Sequence, residues 1–288
     1  MLKPLTIISN GSRLRGILHE PEEADPDAPC VLFMAGPATT RGGPHRVHFV
    51  LATALEQHGV RSIRFDYRGR GESDGDDAAV SVRTMIEDGI AAQEHALGLF
   101  PESHLVLVAN CLGCVAALRV LEESRTAVAG VLLGATHFGE TQGTKTRLRE
   151  FGHGLRIYLG KLRRPDTWRK LLRLDVDWHR VAGALLGHSA RKYRPVAQAS
   201  RPGAYGLRPS RFPGKTAAFV WGADDPSLSE RGFYARYCAG HRWHFREVVV
   251  EECDRSFSRP GAVEQLSSII GRIVAERAHS PSSLGGWP

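Results

Sequence analysis

The sequence has no apolar run long enough to cross a bilayer, and its opening residues, Met1 to Ile8, are too short for the core of a secretion signal. It has only five cysteines, an odd number that does not suit a framework of disulfides. We therefore expect a soluble protein of the reducing cytoplasm, without a membrane partner.

The sequence also lacks the usual signatures of cofactor and nucleic-acid binding. It contains no phosphate-binding P-loop, no dinucleotide fingerprint and no nucleic-acid module. The glycine-rich turn at Gly69 and Gly71 is not followed by the helix geometry that such sites require. The pair Cys111 and Cys114 has no second pair of ligands at zinc-binding spacing. These absences predict a protein without a metal, an organic cofactor or a nucleic-acid partner.

The positive charge is concentrated in one segment of the chain. The net charge is +7, whereas residues 137–215 carry 18 Lys and Arg against 5 Asp and Glu, a balance of +13, so the remainder carries −6. Such asymmetry indicates an acidic partner or substrate near that segment. The alternative is a solvated, arginine-rich helical face with no partner.

Strand-like apolar runs alternate with helical apolar spacing over residues 1–137 and again over 214–278. This order predicts an α/β core, with a mostly parallel sheet covered by helices on both faces. Over 138–213 the alternation stops, and amphipathic spacing predicts a basic helical lid. Residues 279–288 are expected to form a disordered tail. The first helix is expected to bury a face made by Val47, Val50, Leu51, Ala54 and Leu55.

A thiol stands at the apex of a predicted strand–turn–helix unit. Ala109 and Gly113 flank Cys111 at the two positions where small residues let a chain turn sharply in a nucleophile elbow. The N-terminus of the following helix favours a thiolate there, and the Leu112 amide is placed to stabilise an oxyanion. The turn therefore predicts a nucleophilic cysteine.

Three other motifs carry a resemblance to the α/β-hydrolases. Asp66 to Ser73 resembles the D-x-R-G-x-G-x-S turn after the fourth strand of that family, and Met34 to Pro37 resembles its oxyanion loop. Together with the elbow and Gly222 to Pro226, four ordered motifs cover nearly the whole chain outside the lid. The chain is most similar to the hydrolases found beside exosortase systems, which have a Gly-Pro oxyanion loop, a pair like His45-Arg46 and a cysteine at the elbow.

The resemblance implies an α/β-hydrolase fold and assigns roles residue by residue. Cys111 matches the nucleophile, and Asp225 matches the acid that precedes a proline after a late strand. Arg255 stands where the family's histidine is expected, in the run Cys253 to Ser258. An arginine stays protonated, so it cannot take a proton from a thiol or from water.

Three explanations of this substitution remain open. A cysteine held as thiolate needs no base for acylation, and slow hydrolysis then favours transfer to an amine or thiol. Alternatively another histidine serves, and His137, just past the sixth strand, ranks ahead of His45, His153 and His244. In the third explanation the protein has lost catalysis and binds a ligand or partner through the old pocket.

Two neighbouring residues qualify the predicted site. Cys114 completes a C-x-x-C spacing with Cys111, which permits a reversible disulfide, but a small buried thiol is the favoured interpretation. Pro37 has no amide hydrogen, so the second oxyanion donor is assigned to Ala38.

The expected chemistry is acyl transfer or hydrolysis on an ester or thioester through a thioester at Cys111. The expected partner is a small-molecule acyl substrate. An acidic carrier protein or a coenzyme A thioester is also a candidate, because phosphopantetheine donors bring negative charge to the basic lid. The alternative is a non-catalytic, ligand- or partner-binding protein with the same fold.

Overall fold

The computed structural model describes residues 1–135, 211–259 and 261–278. Except for residues 211–213, the lid expected over 138–213 lies outside these ranges, as does the tail at 279–288. The basic lid therefore stays a prediction.

The described residues form one eight-stranded sheet of order β1-β2-β4-β3-β5-β6-β7-β8. The first two strands run antiparallel to each other, and β2 is antiparallel to β4, whereas all pairs from β4 to β8 are parallel. The predicted mostly parallel sheet is confirmed. The strands are β1 (Leu2–Ser9), β2 (Ser12–His19), β3 (Cys30–Met34), β4 (Ser62–Phe65), β5 (Leu105–Asn110), β6 (Ala127–Leu133), β7 (Thr216–Gly222) and β8 (His244–Val250).

Helices cover both faces of this sheet, as the alternating pattern predicts. Along β5, Leu105, Leu107 and Ala109 contribute to one apolar core, and Val106 and Val108 contribute to the other. Since side chains alternate across a strand, a central strand that is apolar on both faces needs cover on both. The first core is closed by α2 (Val82–Leu99), α3 (Gly113–Glu123) and α4 (Arg231–His241), and the second by α1 (Val47–Gln57) and α5 (Ala262–Ala278).

The buried face of α1 differs from the predicted one. Val50 is 43% exposed, whereas His48 is fully buried and its ring lies 5.1 Å from that of Phe33. A stripe that includes Val50 and a stripe that includes His48 both fit a period of 3.6 residues, so packing against β3 decides the rotation of the helix. The buried stripe consists of Val47, His48, Leu51, Ala52 and Leu55, and Ala54 is half-buried.

The glycine-rich turn after β4 has a structural role. Ser73 Oγ donates to the Asp66 carbonyl at 2.7 Å, and Arg68 Nε donates to the buried carboxylate of Asp88 at 2.8 Å. Asp66 Oδ1 accepts the backbone N–H of Arg41 at 2.6 Å. The turn thereby holds the loop that follows β3, which leads into the candidate site.

Candidate active site

Cys111 lies at a strained turn between β5 and α3. Its φ is +52°, a left-handed conformation that is unfavourable for a residue with a Cβ. Its N–H donates to the Leu133 carbonyl at 3.0 Å, and its carbonyl accepts from Cys114 N at 3.1 Å. The side chain is partly exposed. The turn over 109–113 thus has the elbow geometry expected from the sequence.

Gly113 brings the start of α3 against the end of β3. A Cβ at this position would lie 2.6 Å from the carbonyl oxygens of both Met34 and Ala35, closer than such atoms approach. The same packing places the next residue of the β3 loop beside the thiol, because a Cβ at Gly36 would lie 3.4 Å from the Cys111 Cβ. The glycine therefore sets the approach of the loop after β3 to Cys111.

Asn110 was not singled out from the sequence, although it immediately precedes the cysteine. Its buried side chain accepts the N–H of Gly36 through Oδ1 at 3.2 Å, so that amide is already used. Pro37 has no N–H. Within the described ranges, neither the Leu112 nor the Ala38 N–H donates to a protein acceptor. Both amides, which the sequence predicts as oxyanion donors, are therefore without a protein acceptor in the described part of the chain.

Asp225 is a buried carboxylate at the turn after β7. Its Oδ1 accepts from Ser227 N at 2.9 Å, from Ser227 Oγ at 2.7 Å and from Arg255 Nε at 3.1 Å. Its Oδ2 is buried and has no hydrogen-bond partner among the residues described. The neighbouring Asp224 is exposed. Asp225 is therefore the better-placed acid, and its partner is an arginine.

Gly134 adjoins two of the side chains assigned to the site, Asp225 and Arg255. It follows Leu133, the residue that accepts the Cys111 N–H. Its φ is +55°, a conformation that favours glycine. A Cβ at this position would lie 2.8 Å from Arg255 Cγ and 3.2 Å from Asp225 Oδ2, so the absence of a side chain lets both residues approach. Arg255 and Asp225 therefore pack over the same strand end that holds Cys111.

The candidate replacement histidines are not brought to Asp225 by the described part of the chain. His137 and His153 lie outside the described residues. His45 is exposed in a short 3-10 helix (Pro44–Arg46), with a φ of +48°. His244 begins β8, at the amino end of a parallel strand, whereas the site is at the carboxyl ends. The described residues therefore provide no histidine partner for Asp225.

Two buried groups lie on the helical side of the elbow. Cys114 is fully buried, as predicted, and its thiol lies 3.6 Å from the Leu133 carbonyl. Burial, with a contribution from Cys111, raises the Cys114 pKa well above its usual value. Burial also raises the pKa of Tyr234 well above its usual range, aided by Cys114, and no signal in the sequence indicated this residue. Both groups therefore stay protonated at neutral pH.

The described residues contain no group of three or more His, Cys, Asp or Glu side chains that could hold a metal ion. None of the helices in these ranges combines the length and apolar character needed to span a membrane.

The fold is similar to that of several solved structures. Est1E from Butyrivibrio proteoclasticus, in a structure with bound ferulic acid, aligns with a TM-score of 0.64 and 14% identity over 95% of this chain and 98% of that chain. The esterase Pf2001 of Pyrococcus furiosus aligns with a TM-score of 0.68 and 16% identity over 96% and 91%. At such identities the likeness concerns the fold.

A local sequence match is closer but short. Over 62 residues the chain is 42% identical to the lysophosphatidylserine lipase ABHD12 of Danio rerio. That stretch covers 22% of this chain and 15% of the relative. The model of the alpha/beta hydrolase family matches residues 31–266, well over half of the chain. The predicted fold class is confirmed, and the chain belongs to the alpha/beta hydrolase family.

Proposed function

We propose that this protein catalyses acyl transfer or hydrolysis on an ester or thioester, with Cys111 as the nucleophile. The observation that carries the proposal is the strained elbow, which holds a partly exposed thiol at the start of α3. Strain of this kind persists where the surrounding structure enforces it, and nucleophile elbows are such places.

In the acylation step the Cys111 sulfur attacks the substrate carbonyl carbon and forms a C–S bond. The carbonyl π electrons move to oxygen, and the resulting oxyanion accepts hydrogen bonds from the N–H groups of Leu112 and Ala38. When the carbonyl re-forms, the bond to the alkoxide or thiolate leaving group breaks. The leaving group takes up the proton that the thiol has released, and the acyl group remains as a thioester on Cys111.

Arg255 stabilises charge in this scheme rather than moving protons. Its guanidinium stays protonated, donates through Nε to Asp225, and packs over the strand end beside the elbow. Its two terminal nitrogens make no hydrogen bond or ion pair within the described ranges, which leaves them available to developing negative charge.

The arginine also biases the second half of the reaction. Water needs a base to attack a thioester efficiently, whereas an amine or a thiol is a better nucleophile. With Asp225 bonded to Arg255 instead of to a histidine, the acyl-enzyme resists hydrolysis. We therefore infer that transfer to an amine or thiol acceptor is the favoured outcome.

The substrate class is inferred from charge. The balance of +13 over residues 137–215 favours an acyl donor with negative charge, such as an acidic carrier protein or a coenzyme A thioester. A small neutral ester serves as the test substrate because it probes the nucleophile without depending on this segment.

A non-catalytic binding protein is the second candidate function. The observation that favours it is the same ion pair between Asp225 and Arg255, because an acid occupied by an arginine orients no general base. In this case the elbow and its neighbours would line a ligand pocket and form no covalent bond.

One experiment distinguishes the proposed enzyme from the non-catalytic binding protein. The protein is incubated with p-nitrophenyl acetate and its intact mass is measured. We expect one acetyl adduct, which should be lost in Cys111→Ala. It should be retained in the control variant Cys253→Ala, because Cys253 is a buried cysteine near the site. Addition of cysteamine should remove the adduct faster than water does. A folded protein that acquires no adduct on Cys111 would support the binding protein and contradict the proposed enzyme.

A further inference from the structure

An open cleft of about 420 Å³ lies beside the loop that precedes α1, and its lining includes neither Cys111 nor Asp225. Three arginines and two carboxylates contribute to its walls, so the charged side chains leave one positive charge in excess. These residues are Arg41, Arg46, Arg64, Asp66 and Glu72. The cleft is therefore distinct from the proposed catalytic site, although the loop after β3 borders both.

Arg64 is a buried cation without a carboxylate in contact. It is only 3% exposed, and its Nε and Nη2 donate to His19 Nε2 at 3.0 and 2.9 Å. Its Nη1 donates to the Arg41 carbonyl at 3.2 Å. Burial lowers the pKa of His19, as does Arg64 itself, so the imidazole is a neutral acceptor. Glu56 lies on the far side of that ring and also pairs with the Met1 ammonium.

The carboxylates of the cleft are engaged by a single arginine. Asp66 forms an ion pair with the Arg41 guanidinium and accepts the Arg41 N–H, while Glu72 pairs with the same guanidinium. Arg64 forms no ion pair with any described carboxylate. Asp66 acts on the Arg64 charge at longer range, without a direct contact. The hydrogen bonds of Arg64 go to neutral acceptors, so an anion bound in the cleft would give this buried cation a direct partner.

Arg46 adds a second cation, at a residue with a strained backbone conformation. Its φ is +63°, it follows His45 at +48°, and its guanidinium carbon lies 4.7 Å from the centre of the Phe49 ring. The Arg64 guanidinium lies 5.3 Å from the same ring. Two guanidinium groups are thus organised around one aromatic side chain at the wall of the cleft.

Part of the remaining lining is apolar, and Thr40, Gly42 and Gly71 complete it. Leu2, Ile17 and Phe49 border the same space as the arginines. A ligand that satisfies the cleft therefore combines an anionic group with an apolar part. A phosphate monoester suits two guanidinium groups better than a carboxylate does. Its three oxygens can accept hydrogen bonds from both groups, and its charge near −2 is attracted to both.

We propose that this cleft is a second ligand site, which binds the phosphate of a small phosphate monoester at Arg46 and Arg64 and its apolar part on Leu2, Ile17 and Phe49. The site does not depend on the nucleophile. Its occupancy is therefore tested separately from the proposed acyl chemistry.

The experiment is a calorimetric titration of the full chain with phenyl phosphate, benzoate and inorganic phosphate at one ionic strength. We expect one site for phenyl phosphate, with weaker binding of benzoate, which lacks the phosphate, and of inorganic phosphate, which lacks the ring. Arg46→Gln should weaken phenyl phosphate binding about tenfold, the effect of losing one charged hydrogen bond. Because Arg46 is exposed, this variant is expected to fold.

Arg83→Gln is the matched control, since Arg83 is an exposed arginine of α2 that does not line the cleft. It and Cys111→Ala should bind phenyl phosphate like the unmodified chain. The proposal is overturned if phenyl phosphate does not saturate a site, if benzoate binds as tightly, or if Arg46→Gln has no effect. Loss of binding in Cys111→Ala would place the ligand at the proposed catalytic site and also contradict a second site.

Discussion

Replacing Arg255 by histidine should convert a slow acyl-enzyme into a faster hydrolase. In the native chain Arg255 Nε lies 3.1 Å from Asp225 Oδ1, and Asp225 Oδ2 has no partner in the described part of the chain. A histidine at this position finds an acceptor for its Nδ1–H and presents Nε2 toward the elbow. It thereby supplies the general base that an arginine cannot provide.

The geometry sets the expected size of this effect. General base catalysis typically contributes about 10²- to 10⁴-fold, equivalent to about 3–5 kcal/mol. The Nδ1 of histidine lies one bond nearer the backbone than the Nε of arginine, so the contact with Asp225 lengthens and the lower end, about 10²-fold, is expected. Stability should fall by about 1 kcal/mol or less, because Arg255 is 41% exposed and Asp225 keeps both donors of Ser227.

The assay is the release of p-nitrophenol from p-nitrophenyl acetate, followed from the first turnover. The initial burst reports acylation of Cys111 and the later linear phase reports hydrolysis of the thioester. In Arg255→His the burst should persist but become slower, because the guanidinium no longer stabilises developing negative charge, whereas the linear rate should rise about 10²-fold and increase with pH around the ordinary histidine pKa of about 6.5. Arg255→Gln removes the charge without adding a base and serves as the control.

Two results would refute this reasoning. If Arg255→Gln accelerates hydrolysis as much as Arg255→His, the arginine merely inhibits and the histidine supplies no base. If Arg255→His keeps the burst but leaves the linear rate unchanged or slower, the site does not accept a family-like triad, and Arg255 has a role of its own.

Two further predictions concern the fold around the site. Burial lowers the pKa of His48 from 6.5 to about 3, so below pH 6.5 the unfolded chain takes up a proton that the folded chain does not. Relative to His48→Leu, the free energy of unfolding of the native chain should therefore fall by about 1.4 kcal/mol for each unit by which the pH drops below 6.5. The measurement is urea denaturation of both proteins between pH 7.5 and 4.5, and an equal pH dependence of their stabilities would contradict this prediction. Gly113→Ala places a Cβ 2.6 Å from two carbonyl oxygens and should cost about 1–3 kcal/mol and slow the acylation burst. Gly98→Ala in α2, where a Cβ meets nothing within 4 Å, should instead be neutral or stabilising in the same denaturation assay.

Much of the architecture follows from short-range pattern. Short-range features specify the unit around Cys111. An apolar run gives the strand, two small residues give the sharp turn, and helical spacing gives the helix, all within residues 105–123. The same holds for the turn at Asp66 to Ser73, whose side chains bond back to their own neighbourhood. Local patterns of this kind are independent of how distant segments meet, so the sequence predicts them well.

The rotation of α1 and the partners of the polar residues required the packed structure. Val50 and His48 are equally compatible with a helical stripe, and only contact with Phe33 on β3 decides which one is buried. In the sequence, Asn110 is an ordinary polar residue at the end of a strand. Only the structure shows that its side chain accepts the N–H of Gly36, 74 positions earlier. Arg64 likewise becomes notable only when His19, a neutral acceptor, lies against it.

By itself the sequence determined the class of fold, the position of the elbow cysteine and the absence of a histidine from the expected motif, because each depends on residue identity and local order. Only the tertiary structure decided that Asp225 pairs with Arg255 over Gly134, next to the strand end that holds Cys111. That contact joins the turns after β6, β7 and β8. Since such long-range proximity is created by the register of parallel strands and not by spacing along the chain, no local pattern encodes it.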